Sequence, residues 1–147
     1  MKNKETKLIG RKLTRIAARE FYLDGIISSP CCPLFIEDEN QECWQLYYDD
    51  ETYEWKLHPK IQNFPEIGTI RGDSKMQWKD VEVANAPLFE GKAITAFATK
   101  SGEKSCSAKL FLENGWVIFT TYDFETETQQ FQVTQTNHLD KFLPSQG

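Results

Sequence analysis

The chain has 147 residues, a net charge of −5, 39% hydrophobic and 13% aromatic content, and four cysteines. That length suits a single domain able to bury a core without disulfide or metal staples. No apolar run reaches the roughly 18 residues of a membrane-crossing helix, and no signal-peptide pattern follows Met1, so the expected setting is the cytoplasm of a bacterium, with reduced thiols.

In chain order, Gly10 marks a turn and Leu13 to Arg19 reads as a strand. Asp24-Gly25 and Ser28-Ser29-Pro30 are breakers, so 24–33 is read as a loop. A short apolar strand spans Pro33 to Glu37, and Glu39-Asn40-Gln41 turns it. In Cys43 to Tyr48, the residues Trp44, Leu46 and Tyr48 alternate on one face. Tyr53, Trp55 and Leu57 alternate in the next run, as half-buried strands require. Segment 58–87 is punctuated by Pro59, Pro65, Gly68, Gly72 and Pro87. Ser74-Lys75-Met76-Gln77 has the form of a capping box, which predicts a short helix from Ser74 to Asp80. Ala93 to Thr99 reads as a strand. Asn114-Gly115 between Ala108–Glu113 and Trp116–Tyr122 predicts a two-residue hairpin in which Leu112 faces Val117. Both faces of that hairpin are apolar, so it belongs at the centre of a sheet. A last strand covers Phe131 to Thr134, and Leu139 to Leu143 is read as a helical tail.

Three blocks recur in order. Gly10–Ala17 returns as Gly91–Ala98 at an offset of 81 residues, Leu34–Asp38 as Leu110–Asn114 at 76, and Tyr48–Thr52 as Tyr122–Thr126 at 74. Two units are too few for an open repeat array, so the expectation is a closed, mainly β fold. In it, two similar antiparallel β-meander units form a pseudo-twofold sandwich or half-barrel, with one or two short helices. The units are placed at about 8–57 and 88–134 within one domain spanning 1–147. The connector is 58–87 and the tail 135–147.

Chemistry-bearing signatures are sparse. There is no phosphate-binding glycine loop and no G-x-S-x-G elbow. Cys31, Cys32, Cys43 and Cys106 form no C-x-x-C, and they read as small hydrophobes rather than ligands, so neither a metal nor a cofactor is expected. His58 and His138 are the candidate general bases of an enzyme that would pair one of them with a cysteine. Charge is uneven: Glu37 to Trp55 carries eight acids and no Lys or Arg, whereas Lys2 to Arg19 carries seven bases and one acid. Trp44, Tyr47, Tyr48 and Tyr53 interleave with Asp49, Asp50, Glu51 and Glu54. Aromatics give contact area at low entropic cost and carboxylates select a basic partner, so these eight residues are the candidate partner-binding surface. A nucleic-acid or small-ligand binding β module is the alternative, with the basic amino-terminal segment contacting phosphates.

Leu8-Ile9-Gly10-Arg11-Lys12-Leu13-Thr14, followed by Leu34-Phe35-Ile36-Glu37-Asp38, resembles the start of small bacterial proteins, some of which look like immunity proteins that neutralise secreted toxins. The resemblance covers a minority of the chain and transfers no functional residue. It implies a non-enzymatic, protein-binding inhibitor whose partner is a basic toxin, for example a nuclease.

Overall fold

The computed structural model describes residues 7–29, 33–60, 63–83, 86–88 and 90–135. Eleven strands are present among them: β1 Leu13–Leu23, β2 Ile26–Ser29, β3 Leu34–Asp38, β4 Cys43–Asp49, β5 Glu54–Lys60, β6 Ile70–Gly72, β7 Met76–Glu82, β8 Ile94–Ser101, β9 Ser105–Leu112, β10 Trp116–Asp123 and β11 Thr128–Gln135. They build two antiparallel sheets. The larger has the order β5-β4-β3-β1-β7-β6, with β2 pairing the far end of β1, and the smaller has the order β11-β10-β9-β8. The inward residues of both sheets share one core: Trp44, Leu46, Trp55 and Leu57 from the first meander, Ala108, Leu110, Leu112 and Ile118 from the second. The protein is a mainly β sandwich.

The β5-β4-β3-β1 order of one sheet is the β11-β10-β9-β8 order of the other. The registers match as well. Ile36 pairs with Trp44 and Trp44 with Pro59; Leu110 pairs with Ile118 and Ile118 with Val133. Every such pair from β3 to β5 maps onto β9 to β11 at one constant offset of 74 residues, as Ile36 to Leu110 illustrates. Strand β1 maps onto β8 at 81, with the same bulge after Leu13 and after Ile94. The sequence alignment of Leu34–Asp38 with Leu110–Asn114 was therefore slipped by two residues. A two-residue slip keeps every side chain on its own face, so hydrophobic pattern alone cannot detect it.

The two units meet through reciprocal backbone bonds. Gly10 N–H donates to Ile94 O (2.7 Å) and Gly91 N–H to Leu13 O (2.6 Å); Leu13 N–H donates to Lys92 O (2.9 Å) and Ile94 N–H to Arg11 O (2.8 Å). Lys12 and Ala93, equivalent positions, form an antiparallel bridge with each other. Exchanging the units maps this set of bonds onto itself, so a pseudo-twofold axis passes between Lys12 and Ala93. Gly10 (φ 93°) and Gly91 (φ 84°) lie in the left-handed region that a side chain disfavours, which explains why both copies keep glycine.

Four local expectations change. The Ser74–Asp80 helix is instead a turn and strand β7. The Asp73 carboxylate accepts from the amides of Lys75 and Met76, both at 2.9 Å, and β7 then pairs β1 from Ala17↔Glu82 to Leu23↔Met76. A ladder of that length outweighs one capping box. Asp24 (φ 51°) and Gly25 (φ 81°) do not merely break the chain. They form a two-residue turn that pairs Leu23 with Ile26 and starts β2, where a loop was expected. The Asn114-Gly115 loop has three residues, Glu113–Gly115, so Val117 faces Phe111 rather than Leu112, and the left-handed Gly115 (φ 83°) takes up the extra residue. Helical structure among the described residues is confined to 3-10 turns, such as Ala86–Leu88 and Glu113–Gly115, neither of which lies where a helix was expected. The Leu139–Leu143 tail lies outside those residues, as do Cys31, Cys32 and His138.

The second unit carries two buried polar atoms without a partner among the described residues, Gln129 Oε1 and Thr120 Oγ1. Thr120 is fully buried and its Oγ1 has no hydrogen-bond partner, while its equivalent in the first unit is Leu46. An unpaired buried hydroxyl costs about 1–3 kcal/mol. Thr120→Val removes it at nearly constant shape, and is expected to raise stability by about 1 kcal/mol and Tm by roughly 2–4 °C. A thermal melt with Tm unchanged or lowered would show that the hydroxyl is satisfied in solution.

Candidate functional site

The β4–β5 turn and the β10–β11 turn are equivalent and lie side by side. Each is a four-residue loop opened by an aspartate. Asp49 Oδ1 accepts from the Glu51 amide (2.9 Å), and Asp123 Oδ1 accepts from the amides of Glu125 (2.9 Å) and Thr126 (3.0 Å). Each closes on a left-handed residue, Tyr53 (φ 60°) or Glu127 (φ 55°). A non-glycine residue in that region is uncommon, and here both turns place one at the same position.

On the axis below these turns, Tyr48 and Tyr122 stack on each other with centroids 3.8 Å apart and planes 6° from parallel. They are equivalent residues, so this contact is also mapped onto itself by exchange of the units. Phe124 packs obliquely on both, at 6.5 Å from Tyr48 and 5.9 Å from Tyr122, and meets the Tyr53 ring edge-to-face at 6.4 Å. Together with Asp50, Thr52, Glu54, Ser101, Gly102 and Glu127 these rings line a cleft of about 680 Å³. That volume is of the order of a small-molecule or side-chain site. The Tyr48 phenol is pushed up to about 12 by burial, with the neighbouring Cys106, Tyr122, Tyr53 and Asp50 adding to it, so it stays neutral at physiological pH.

The structure separates the eight candidate residues. Trp44 lies wholly in the core, where its Nε1–H donates to Asp38 Oδ2 (2.9 Å), so it supports the surface from beneath and touches nothing outside. Tyr47 is on the outer face of β4, edge-on to His58 at 6.0 Å. Asp49 builds the turn and pairs with Lys56 Nζ at 2.8 Å. Its carboxyl is held below the ordinary range, first by the Lys56 hydrogen bond and then by the Glu51 amide. Glu51 is exposed on the turn. Tyr48, Asp50, Tyr53 and Glu54 come together in the cleft. What sequence reasoning missed is the other half: Tyr122, Phe124 and Glu127. The signal was present, because the repeat makes Tyr122 the counterpart of Tyr48, and a residue near a twofold axis meets its own counterpart.

The three arginines of the basic segment are engaged within the molecule. Arg11 pairs with Asp38 (2.7 Å) and Glu42 (3.4 Å), and Arg19 makes a forked pair with Asp80 at 2.8 and 3.0 Å. The Arg15 guanidinium sits 4.2 Å over the Phe64 ring. Cys43 and Cys106 are buried, and burial pushes the Cys106 thiol up to about 11, the reverse of an activated nucleophile. Among the described residues no helix is long and apolar enough to cross a membrane, and no three His, Cys, Asp or Glu side chains gather to hold a metal ion. In comparison with known proteins, no family model, no curated protein and no solved structure matches the chain.

Proposed function

We propose that the protein is a non-enzymatic binding module of the cytoplasm, an immunity-type inhibitor that neutralises a basic protein such as a toxin nuclease. The observation that carries this reading is the cleft on the pseudo-twofold axis, walled by Tyr48, Tyr53, Tyr122 and Phe124 and rimmed by Asp50, Glu54 and Glu127. Rings supply contact area with few rotatable bonds, and carboxylates steer and select a positive partner. Against phosphate binding, Arg11, Arg15 and Arg19 are already engaged by Asp38, Phe64 and Asp80. A cysteine–histidine enzyme gains nothing from a buried, protonated Cys106.

The test replaces the exposed acids and spares Asp49, whose removal would spoil the turn. The triple variant Asp50→Lys/Glu51→Lys/Glu54→Lys is expected to bind the purified product of the adjacent gene more than about tenfold more weakly, with most of the loss in the association rate and with a reduced salt dependence. Its thermal melt should match the parent, because all three positions are exposed. Unchanged affinity in a folded triple variant would remove the acidic surface from the mechanism.

A further inference from the structure

We infer that the cleft is a receptor for a single guanidinium group, presented by an arginine side chain of the partner protein. This rests on the protein-binding reading above and adds the chemistry of the group that enters. The cleft combines two kinds of wall that few ligands satisfy together. Tyr53 (64% exposed) and Phe124 stand edge-to-face at 6.4 Å and turn aromatic surface toward the opening. The Tyr48–Tyr122 stack lines the same cleft. Asp50 lines it from one turn, Glu54 from the start of β5, and Glu127 from the other turn. All three carboxylates are exposed, and among the described residues none forms an ion pair, Lys56 being held by Asp49 at 2.8 Å.

A neutral apolar group would cover the rings but strip water from three carboxylates with nothing in return. A quaternary ammonium would be attracted by the rings, yet it offers the carboxylates no hydrogen. A lysine ammonium is a compact, strongly hydrated point charge that stacks poorly. A guanidinium is planar, weakly hydrated and always charged. It can lie on a ring face while its edge donates in the same plane to a carboxylate, which meets both walls at once. The pseudo-symmetry explains why only one such group is expected. The left-handed turn residues that would be identical in a perfect repeat are Tyr53 in one unit and Glu127 in the other, and Asp50 has Phe124 as its counterpart. Each turn thus contributes one acid where the other contributes one ring, and the two half-sites complete a single mixed cavity.

The probes are N-acetylarginine N-methylamide, its lysine analogue and its citrulline analogue, the last having the same shape without the charge. Each is titrated into the full chain while aromatic and amide NMR signals are followed. The arginine probe is expected to give saturable shifts at Tyr53, Tyr122, Phe124 and Glu54. The lysine probe should bind about fivefold more weakly, and the citrulline probe should give no saturable response. Glu54→Gln/Glu127→Gln, which keeps shape and exposure, should weaken the arginine probe by about tenfold or more. Citrulline binding as well as arginine, no saturable response, or shifts centred elsewhere would overturn the assignment. Ethylguanidine, a free guanidinium compound with the same single charge, separates the sources: affinity far above that of the arginine amide would transfer the site from a partner's side chain to a small molecule. If the arginine probe fails while the adjacent gene's product still binds in a charge-sensitive way, the cleft assignment falls and the inhibitor reading stands. If the probe binds but that protein does not, the inhibitor reading falls alone.

Discussion

Asp38→Ala should lower the free energy of unfolding by about 3–5 kcal/mol, a large share of the 5–15 kcal/mol typical of a domain. The residue is 1% exposed and serves four donors at the end of β3. Its Oδ2 accepts from Arg11 Nη1 (2.7 Å) and from Trp44 Nε1 (2.9 Å), and its Oδ1 accepts from the amides of Asn40 (2.8 Å) and Glu42 (3.1 Å). Truncation leaves a fully buried indole N–H and two turn amides with no acceptor, and a guanidinium without its nearest counter-charge. Asp38→Asn keeps the shape and one acceptor oxygen, and is expected to cost about half as much. Denaturant titration at neutral pH measures both. A loss of less than about 1 kcal/mol in the alanine variant would mean that the network is not a stabilising centre.

The same residue sets an acid limit. Burial disfavours the charged carboxylate, but the bonds from Arg11, Trp44, Glu42 and Asn40 outweigh it and hold the group below its ordinary range. A folded pKa below the unfolded one means that the unfolded chain binds the proton first. The stabilisation is therefore complete above the unfolded value, near 3.9, and is lost as pH falls through the folded value. Asp49, Asp73 and Asp123 are shifted the same way, by Lys56 and by turn amides, and add to the trend. Stability should thus fall steeply below about pH 4, and less steeply in Asp38→Asn, whose side chain does not titrate. Parallel slopes for the two proteins would contradict this assignment.

The second large effect lies one strand away. Trp44→Ala should cost about 3–5 kcal/mol, because a fully buried indole at the centre of the sandwich leaves a cavity that sheet backbones cannot close. Its counterpart in the other unit is Ile118, also fully buried, so the two copies fill equivalent volumes with different shapes. Trp44→Phe keeps one ring of the packing and removes the Nε1–H donor to Asp38, for an expected loss of about 1–2 kcal/mol. A double-mutant cycle between Trp44→Phe and Asp38→Asn separates the terms. Coupling of about 1 kcal/mol or more would place the loss in the Asp38–Trp44 bond, and additive losses would place it in packing alone.

The sequence reached most strands because their side chains alternate, and alternation survives without knowledge of neighbours. Trp44, Leu46 and Tyr48 point inward as the pattern required, and Leu57 and Trp55 do so on β5. The failures have one cause. The Ser74 capping box, the Asp24-Gly25 breaker and the Asn114-Gly115 hairpin were judged from local residues. Each was decided by the strand lying opposite: β1 against β7, β1 against β2, and β9 against β10. The surface reading divided in the same way. Composition located the acids and aromatics of 44–54, but it could not tell that Trp44 faces Asp38 inside the core while Tyr53 faces Phe124 outside.

Residue order by itself determined a doubled, mainly β chain with an acidic stretch from Glu37 to Trp55, because face alternation and charge are properties of each segment alone. Only the tertiary structure decided the constant 74-residue correspondence and the axis between Lys12 and Ala93. It also decided the cleft in which Tyr48 meets Tyr122 and the acid of one turn meets the ring of the other. Those features depend on how two sheets dock, and docking is selected by the burial of all inward faces together, which no single segment encodes.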